Sequence, residues 1–225
     1  MLRATKILAP ILLVIAVTCS TIQANHIDFI ADAPFVLFSL GGPASDTQIG
    51  AASNILGTER EVMLDFISGS GFVSANTNGA PIDSILFSNS VGSVGTMMLT
   101  YDGVGAAGLG GLDFDTTWDA IRVDFDDVQG LGNLTVTVRD SSANTGSVTQ
   151  PVGVPGVYDS PFTAPGFAGV DFTSIDSVKV TIDTVLPASD FSIASITREV
   201  IIPEPSLGML SLLGLVGCSV LRRRG

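Results

Sequence analysis

Ala120-Ile121-Arg122-Val123-Asp124-Phe125-Asp126 and, further on, Leu134-Thr135-Val136-Thr137-Val138-Arg139 alternate apolar and polar residues with a period of two. Successive side chains of an extended chain point to opposite faces. Ile121, Val123 and Phe125 therefore share one face, and Arg122, Asp124 and Asp126 the other. Leu134, Val136 and Val138 repeat the inward set. Gly130-Leu131-Gly132-Asn133 between the two stretches supplies turn chemistry, so they are expected to form an antiparallel hairpin. Val178-Lys179-Val180-Thr181-Ile182-Asp183 and Phe191-Ser192-Ile193-Ala194-Ser195-Ile196 alternate in the same way.

Working outward, shorter candidate strands lie at 35–40, 61–67, 71–76, 82–88, 94–101 and 147–152. Gly, Ser, Thr, Asn and Asp punctuate them, and no long segment shows helical spacing. About ten short strands that each bury one face and wet the other imply an all-β fold, an antiparallel β-sandwich. Val170-Asp171-Phe172-Thr173-Ser174-Ile175-Asp176 reads as a turn whose Phe172 and Ile175 plug the edge of the core. Gly103, Gly105, Gly108, Gly110 and Gly111 mark a surface loop. They lack the strand-to-helix context and the lysine of a phosphate cradle.

Charge is partitioned along the 225 residues. Arg3 and Lys6 lie at the start, and Arg222, Arg223 and Arg224 at the finish. Between Asn25 and Ile202 only Arg60, Arg122, Arg139, Lys179 and Arg198 are basic, against 21 acids, a net charge of −16. Such a body is repelled by phosphate backbones, which excludes nucleic acid as a partner. Cys19 and Cys218 both fall in the apolar end segments, so the body has no internal disulfide and depends on its core. At roughly 180 residues it is large enough to bury one.

The two ends read as addresses. Residues 1–24 have a basic start, an apolar run at 7–17 and a more polar approach to a cut between Ala24 and Asn25, the pattern of a secretory signal peptide read by the Sec export machinery. A lipoprotein signal acylated on Cys19 is disfavoured, because Thr18 stands where a small residue normally precedes the modified cysteine. At the other end Pro203, Glu204 and Pro205 break any strand. A Leu-rich segment at 206–221 and the three arginines follow. Sixteen helical residues reach roughly 24 Å, a short but feasible membrane span with the arginines on the cytoplasmic side. The expected plan is a signal peptide at 1–24, a β-sandwich at 25–202 and a tail with a transmembrane helix at 203–225, so that a hydrophobic helix stands at each end.

Pro203-Glu204-Pro205, the short hydrophobic helix and the terminal Arg222, Arg223 and Arg224 cluster together resemble the PEP-CTERM sorting signal of exported proteins in exopolysaccharide-producing bacteria. The resemblance covers about the last 23 residues. It implies an exosortase as partner, Pro203, Glu204 and Pro205 as the recognition motif, and the arginines as the retention cluster. Passage through the membrane to the cell surface or extracellular matrix follows from it. An ordinary C-terminal anchor is the other reading of the same helix. The strand order around Tyr101-Asp102-Gly103, Arg122-Val123-Asp124, Val170-Asp171-Phe172 and Val178-Lys179-Val180 resembles jelly-roll domains of the galactose-binding or carbohydrate-module type.

Residues able to carry chemistry are few. His26, the sole histidine, lies next to the expected mature N-terminus and reads as a solvated end, and no cysteine lies in the body, so nucleophilic triads and zinc sites lack their usual members. Asp113 and Asp115, and Asp124 and Asp126, stand at i and i+2, about 7 Å apart on one strand face. Asp124 and Asp126 are candidate Ca²⁺ ligands; the plainer reading is a solvated acidic face, and no cofactor is otherwise expected. Trp118 and Tyr101 are candidate sugar-stacking platforms, with core or rim packing the favoured reading of Trp118, since a lone tryptophan usually buries its large area. The expected function is that of a non-enzymatic surface or matrix protein, structural or adhesive. The alternative is a carbohydrate-binding module holding exopolysaccharide or other glycans, and a polysaccharide-active enzyme stands behind both.

Overall fold

The computed structural model describes residues 25–30, 34–78, 84–115 and 117–201. Ala24 with the expected signal peptide, Pro203-Glu204-Pro205, the tail helix and the arginine cluster lie outside the described residues. Within them the chain forms β1 (Asn25–Asp28), β2 (Val36–Ser39), β3 (Ala44–Ile49), β4 (Glu59–Gly69), β5 (Val73–Asn78), β6 (Ser84–Asn89) and β7 (Ser93–Tyr101). It continues with β8 (Ala120–Gln129), β9 (Gly132–Asp140), β10 (Thr145–Val152), β11 (Gly156–Pro161), β12 (Ile175–Thr184) and β13 (Asp190–Glu199). One sheet runs β11-β8-β13-β6-β5-β2, with β1 also paired to β13, and the second runs β10-β9-β12-β7-β4-β3. The pairings are antiparallel. No helix of the described residues is long and apolar enough to cross a membrane.

Reading the two orders side by side, each strand of one sheet stands level with a chain neighbour in the other: β11 with β10, β8 with β9, β13 with β12, β6 with β7, β5 with β4, β2 with β3. The expected hairpin of β8 and β9 is therefore corrected. β8 bonds to β11 and β13, β9 bonds to β10 and β12, and Gly130 and Leu131 carry the chain across from one sheet to the other. Period-two alternation states which side chains face the core. It does not state from which side of the core they face it, and these two strands face it from opposite sides.

Each of the ten expected strands is present. β1, β3 and β11 are additional. β3 (ASDTQI) and β11 (GVYDSP) sit at sheet edges, where half the alternation signal is lost, and β1 is four residues long. His26 is accordingly no frayed end: it lies in β1, half-buried, with its ring edge-on to Phe29 at 4.5 Å.

The core lies between the sheets. Val62, Leu64 and Leu99, then Val136, Val138, Val178 and Val180, face Ile121, Val123 and Phe125 together with Phe87, Phe191 and Ile193, all buried. Full burial of one such side chain stabilises by about 1.5–3 kcal/mol. Phe172 and Ile175 close the edge as expected, Phe172 stacked on Phe162 at 4.1 Å. The buried apolar cluster extends from Ile27 to Ile196, so residues 25–201 supply their own core.

A buried polar cluster anchors β1 to the second sheet. Arg60 Nη1 of β4 pairs with Asp28 Oδ2 at 2.7 Å, both side chains fully buried. The Tyr101 hydroxyl donates to the same carboxylate at 2.7 Å, and the Ile30 N–H donates to Asp28 Oδ1 at 2.8 Å. Burial first, then the charge of Asp28, pushes the Tyr101 phenol well above its ordinary value.

Candidate functional site

The outer face of the second sheet carries a groove of about 380 Å³. Strand register builds it. Glu61 of β4 stands opposite Thr100 of β7, Thr100 opposite Lys179 of β12, and Lys179 opposite Thr137 of β9. In the flanking rows Met63 stands opposite Met98, and Arg139 stands between Ser177 and Thr145. Asp102, just past β7, completes the lining. These are the outward positions of strands whose inward positions are Val62, Leu99, Val178, Val180, Val136 and Val138. Packing of the core thus holds the groove's floor rigid.

Arg139 Nη2 is held by Asp176 Oδ2 at 2.7 Å. Asp102 is raised above the usual carboxylate range, by burial first and then by the charge of Glu59, with Arg139 acting in the opposite direction. Glu59 is itself turned to the Gly105 N–H at 3.0 Å. The five cations of the body differ in how they are used. Arg60 pairs with Asp28, Arg122 with Asp159 at 2.7 Å, and Arg139 with Asp176. Arg198 lies under the rings of Phe114 at 4.6 Å and Trp118 at 5.5 Å, and desolvation brings its pKa down to about 10. Lys179 takes part in no ion pair among the described residues, and it stands in the middle of the groove. Hydroxyls, two thioethers, two carboxylates and two cations on an open sheet face suit hydrogen bonding to a polyhydroxylated ligand along its length.

The sequence-derived candidates lie elsewhere. Trp118 is 8% exposed and packed over Arg198, and Tyr101 is fully buried with its hydroxyl on Asp28, so neither presents a ring face to a ligand. Tyr101 is thereby corrected to a core residue, and Trp118 takes the packed position favoured for a lone tryptophan, since large aromatics yield more by burial than by exposure. Asp124 and Asp126 do share the outer face of β8, half-buried and exposed respectively. Among the described residues no group of three or more His, Cys, Asp or Glu is placed to hold a metal ion. The groove residues were legible only as the polar half of the best alternating strands. Thr137 and Lys179 face outward there, and Lys179 is a rare cation in an acidic chain.

No protein-family model matches the sequence, and no curated protein matches it significantly. Among solved structures, the family 11 carbohydrate-binding module of the cellulosomal cellulase Lic26A-Cel5E of Clostridium thermocellum is similar at a TM-score of 0.38 and 13% identity, over 81% of this chain and 97% of that one. A family 11 module from the same organism in complex with a β-1,3-1,4-mixed-linked tetrasaccharide is similar at a TM-score of 0.34 and 12% identity, over 75% and 97%. An exo-β-agarase is similar at a TM-score of 0.41 and 9% identity over 62% of this chain, which spans 23% of the agarase's length.

Proposed function

We propose that the chain is a non-catalytic carbohydrate-binding β-sandwich that holds a polysaccharide in the groove across β4, β7, β12 and β9. The observation that carries this reading is the groove's lining: Thr100, Thr137, Thr145 and Ser177 offer hydroxyls in register, and Lys179 is left without a carboxylate partner among them. Met63 and Met98 supply the polarizable apolar surface on which a sugar ring packs. Delivery belongs to the ends of the chain: the segment 1–24 directs export, and an exosortase reads Pro203, Glu204 and Pro205 at the membrane. β1 starts and β13 ends at the same end of the first sheet, Asn25 opposite Arg198, and the groove lies on the outer face of the second.

Affinity electrophoresis of residues 25–201 through gels containing soluble neutral glucans or uronic-acid polymers tests the binding reading. Retardation by at least one polymer is expected, and Lys179→Ala with Thr137→Ala weakens it by about tenfold, the loss of roughly one charged hydrogen bond. Unchanged mobility in every gel, or release of reducing ends from the polymer, overturns the reading.

A further inference from the structure

Six connections meet at the end of the sandwich opposite Asn25 and Glu199: 40–43, 70–72, 90–92, 130–131, 153–155 and 185–189. Each carries the chain from one sheet to the other, and hydrogen bonds knit them together. Ser90 N–H donates to the Phe72 carbonyl at 3.0 Å, Asn89 N–H to Ser189 at 3.1 Å, and Val185 N–H to Leu131 at 2.9 Å. None of the six contains a charged residue, in a body of net charge −16. Each instead exposes a large apolar side chain: Leu40 at 78%, Phe72 at 40%, Val91 at 86%, Leu131 at 48%, Val154 at 64% and Leu186 at 46%. The connections at the other end are of different character and carry Asp102, Asp113, Asp115, Asp119 and Asp171.

A sheet-to-sheet connection passes over the end of the core, so some apolar content is expected of it. The residues that close the core there are Val73, Val128 and Phe191, at or below 9% exposure. The six named side chains lie beyond them and point into solvent. Together they present several hundred Å² of apolar surface. That is the scale of the apolar patches that mark interaction sites, and a substantial part of the roughly 800 Å² that each partner gives to a stable interface.

We propose that this apolar end is the surface by which two copies of the chain associate, end on end, about a two-fold axis. Elsewhere 21 acids against five bases make approach of like bodies unfavourable, and the six connections themselves carry none of that charge. A lipid surface fits less well: interfacial attachment uses Lys and Arg beside the apolar residues, and the six connections have neither. The described chain ends at Ile201, at the opposite end of the sandwich from this surface. Such pairing is independent of the sugar-binding reading and leaves the groove on the sheet face open, giving a bivalent particle with two grooves.

Sedimentation equilibrium of residues 25–201, which contain their own core, tests this. A reversible monomer–dimer equilibrium is expected that tightens as salt is raised, since salt screens the acids of the flanking strands. Val91→Glu with Leu131→Glu weakens it at least tenfold, whereas Val104→Glu, 54% exposed at the other end, leaves it unchanged. A monomer at concentrations up to the order of 10⁻⁴ M, or equal weakening by Val104→Glu, overturns the proposal. So does adsorption to zwitterionic lipid vesicles without self-association.

Discussion

Asp28 shows how much one side chain near the N-terminal side of the body carries. Its carboxylate pairs with Arg60, a guanidinium with no exposure, and it also accepts from the Tyr101 hydroxyl. Removing one member of a buried pair strands the other charge, at about 3–5 kcal/mol. Asp28→Ala is therefore expected to lower stability by that amount in urea titrations. Tyr101→Phe, which removes a neutral donor to a charged acceptor, costs about 1.5–3 kcal/mol. Asp140 sets a second residue-scale expectation. N–H donation from Asp171 leads, followed by the Asn144 side chain and the Asn144 and Ser142 N–H groups, and together they hold its carboxyl below the ordinary range. A depressed folded-state pKa contributes stability in full above the unfolded value of about 3.9, and that contribution is lost as pH falls through the lower folded value. Calorimetry on acidification below about pH 4 is expected to show a falling melting temperature, with a shallower fall in Asp140→Asn.

At the scale of elements, the crossing between β8 and β9 decides the topology. Gly130 turns it at φ +109°, and a β-carbon there would stand 2.3 Å from Ser189 Oγ, in the parallel crossing between β12 and β13. Gly130→Ala is expected to cost roughly 1–3 kcal/mol through the strained backbone and the displaced serine, read as a lower denaturant midpoint at unchanged slope. The same crossing shows what the sequence left open. Alternation in Ile121, Val123, Phe125 and in Leu134, Val136, Val138 identified two strands and their buried faces. The hydrogen-bond partners of each were set by β11, β13, β10 and β12, far off in the chain. β3 and β11, at sheet edges, carry too few inward side chains to announce themselves. Site residues were harder still. The groove gathers Glu61, Thr100, Lys179 and Thr137 from four strands, and only the pairing register makes them neighbours, whereas Trp118 and Tyr101 attract attention by residue type and prove to be interior.

For the whole molecule, a strongly acidic sandwich with its groove on one sheet face, Asn25 and Glu199 at one pole and an apolar, uncharged set of connections at the other suits the polymer-holding part proposed above. Replacing Pro203-Glu204-Pro205 by three alanines in the native host is expected to leave the tail uncut and the protein in the membrane, read by intact mass and fractionation. An uncut tail in wild type as well makes that segment an ordinary anchor. The binding claim itself is tested most directly by following backbone amide shifts of residues 25–201 during titration with a polysaccharide that retards it. The account predicts shifts concentrated at Glu61, Thr100, Thr137, Arg139 and Lys179, on the outer face of the second sheet. Shifts centred instead on the first sheet's outer face around Asp124 and Asp126, or on the apolar end, would contradict it.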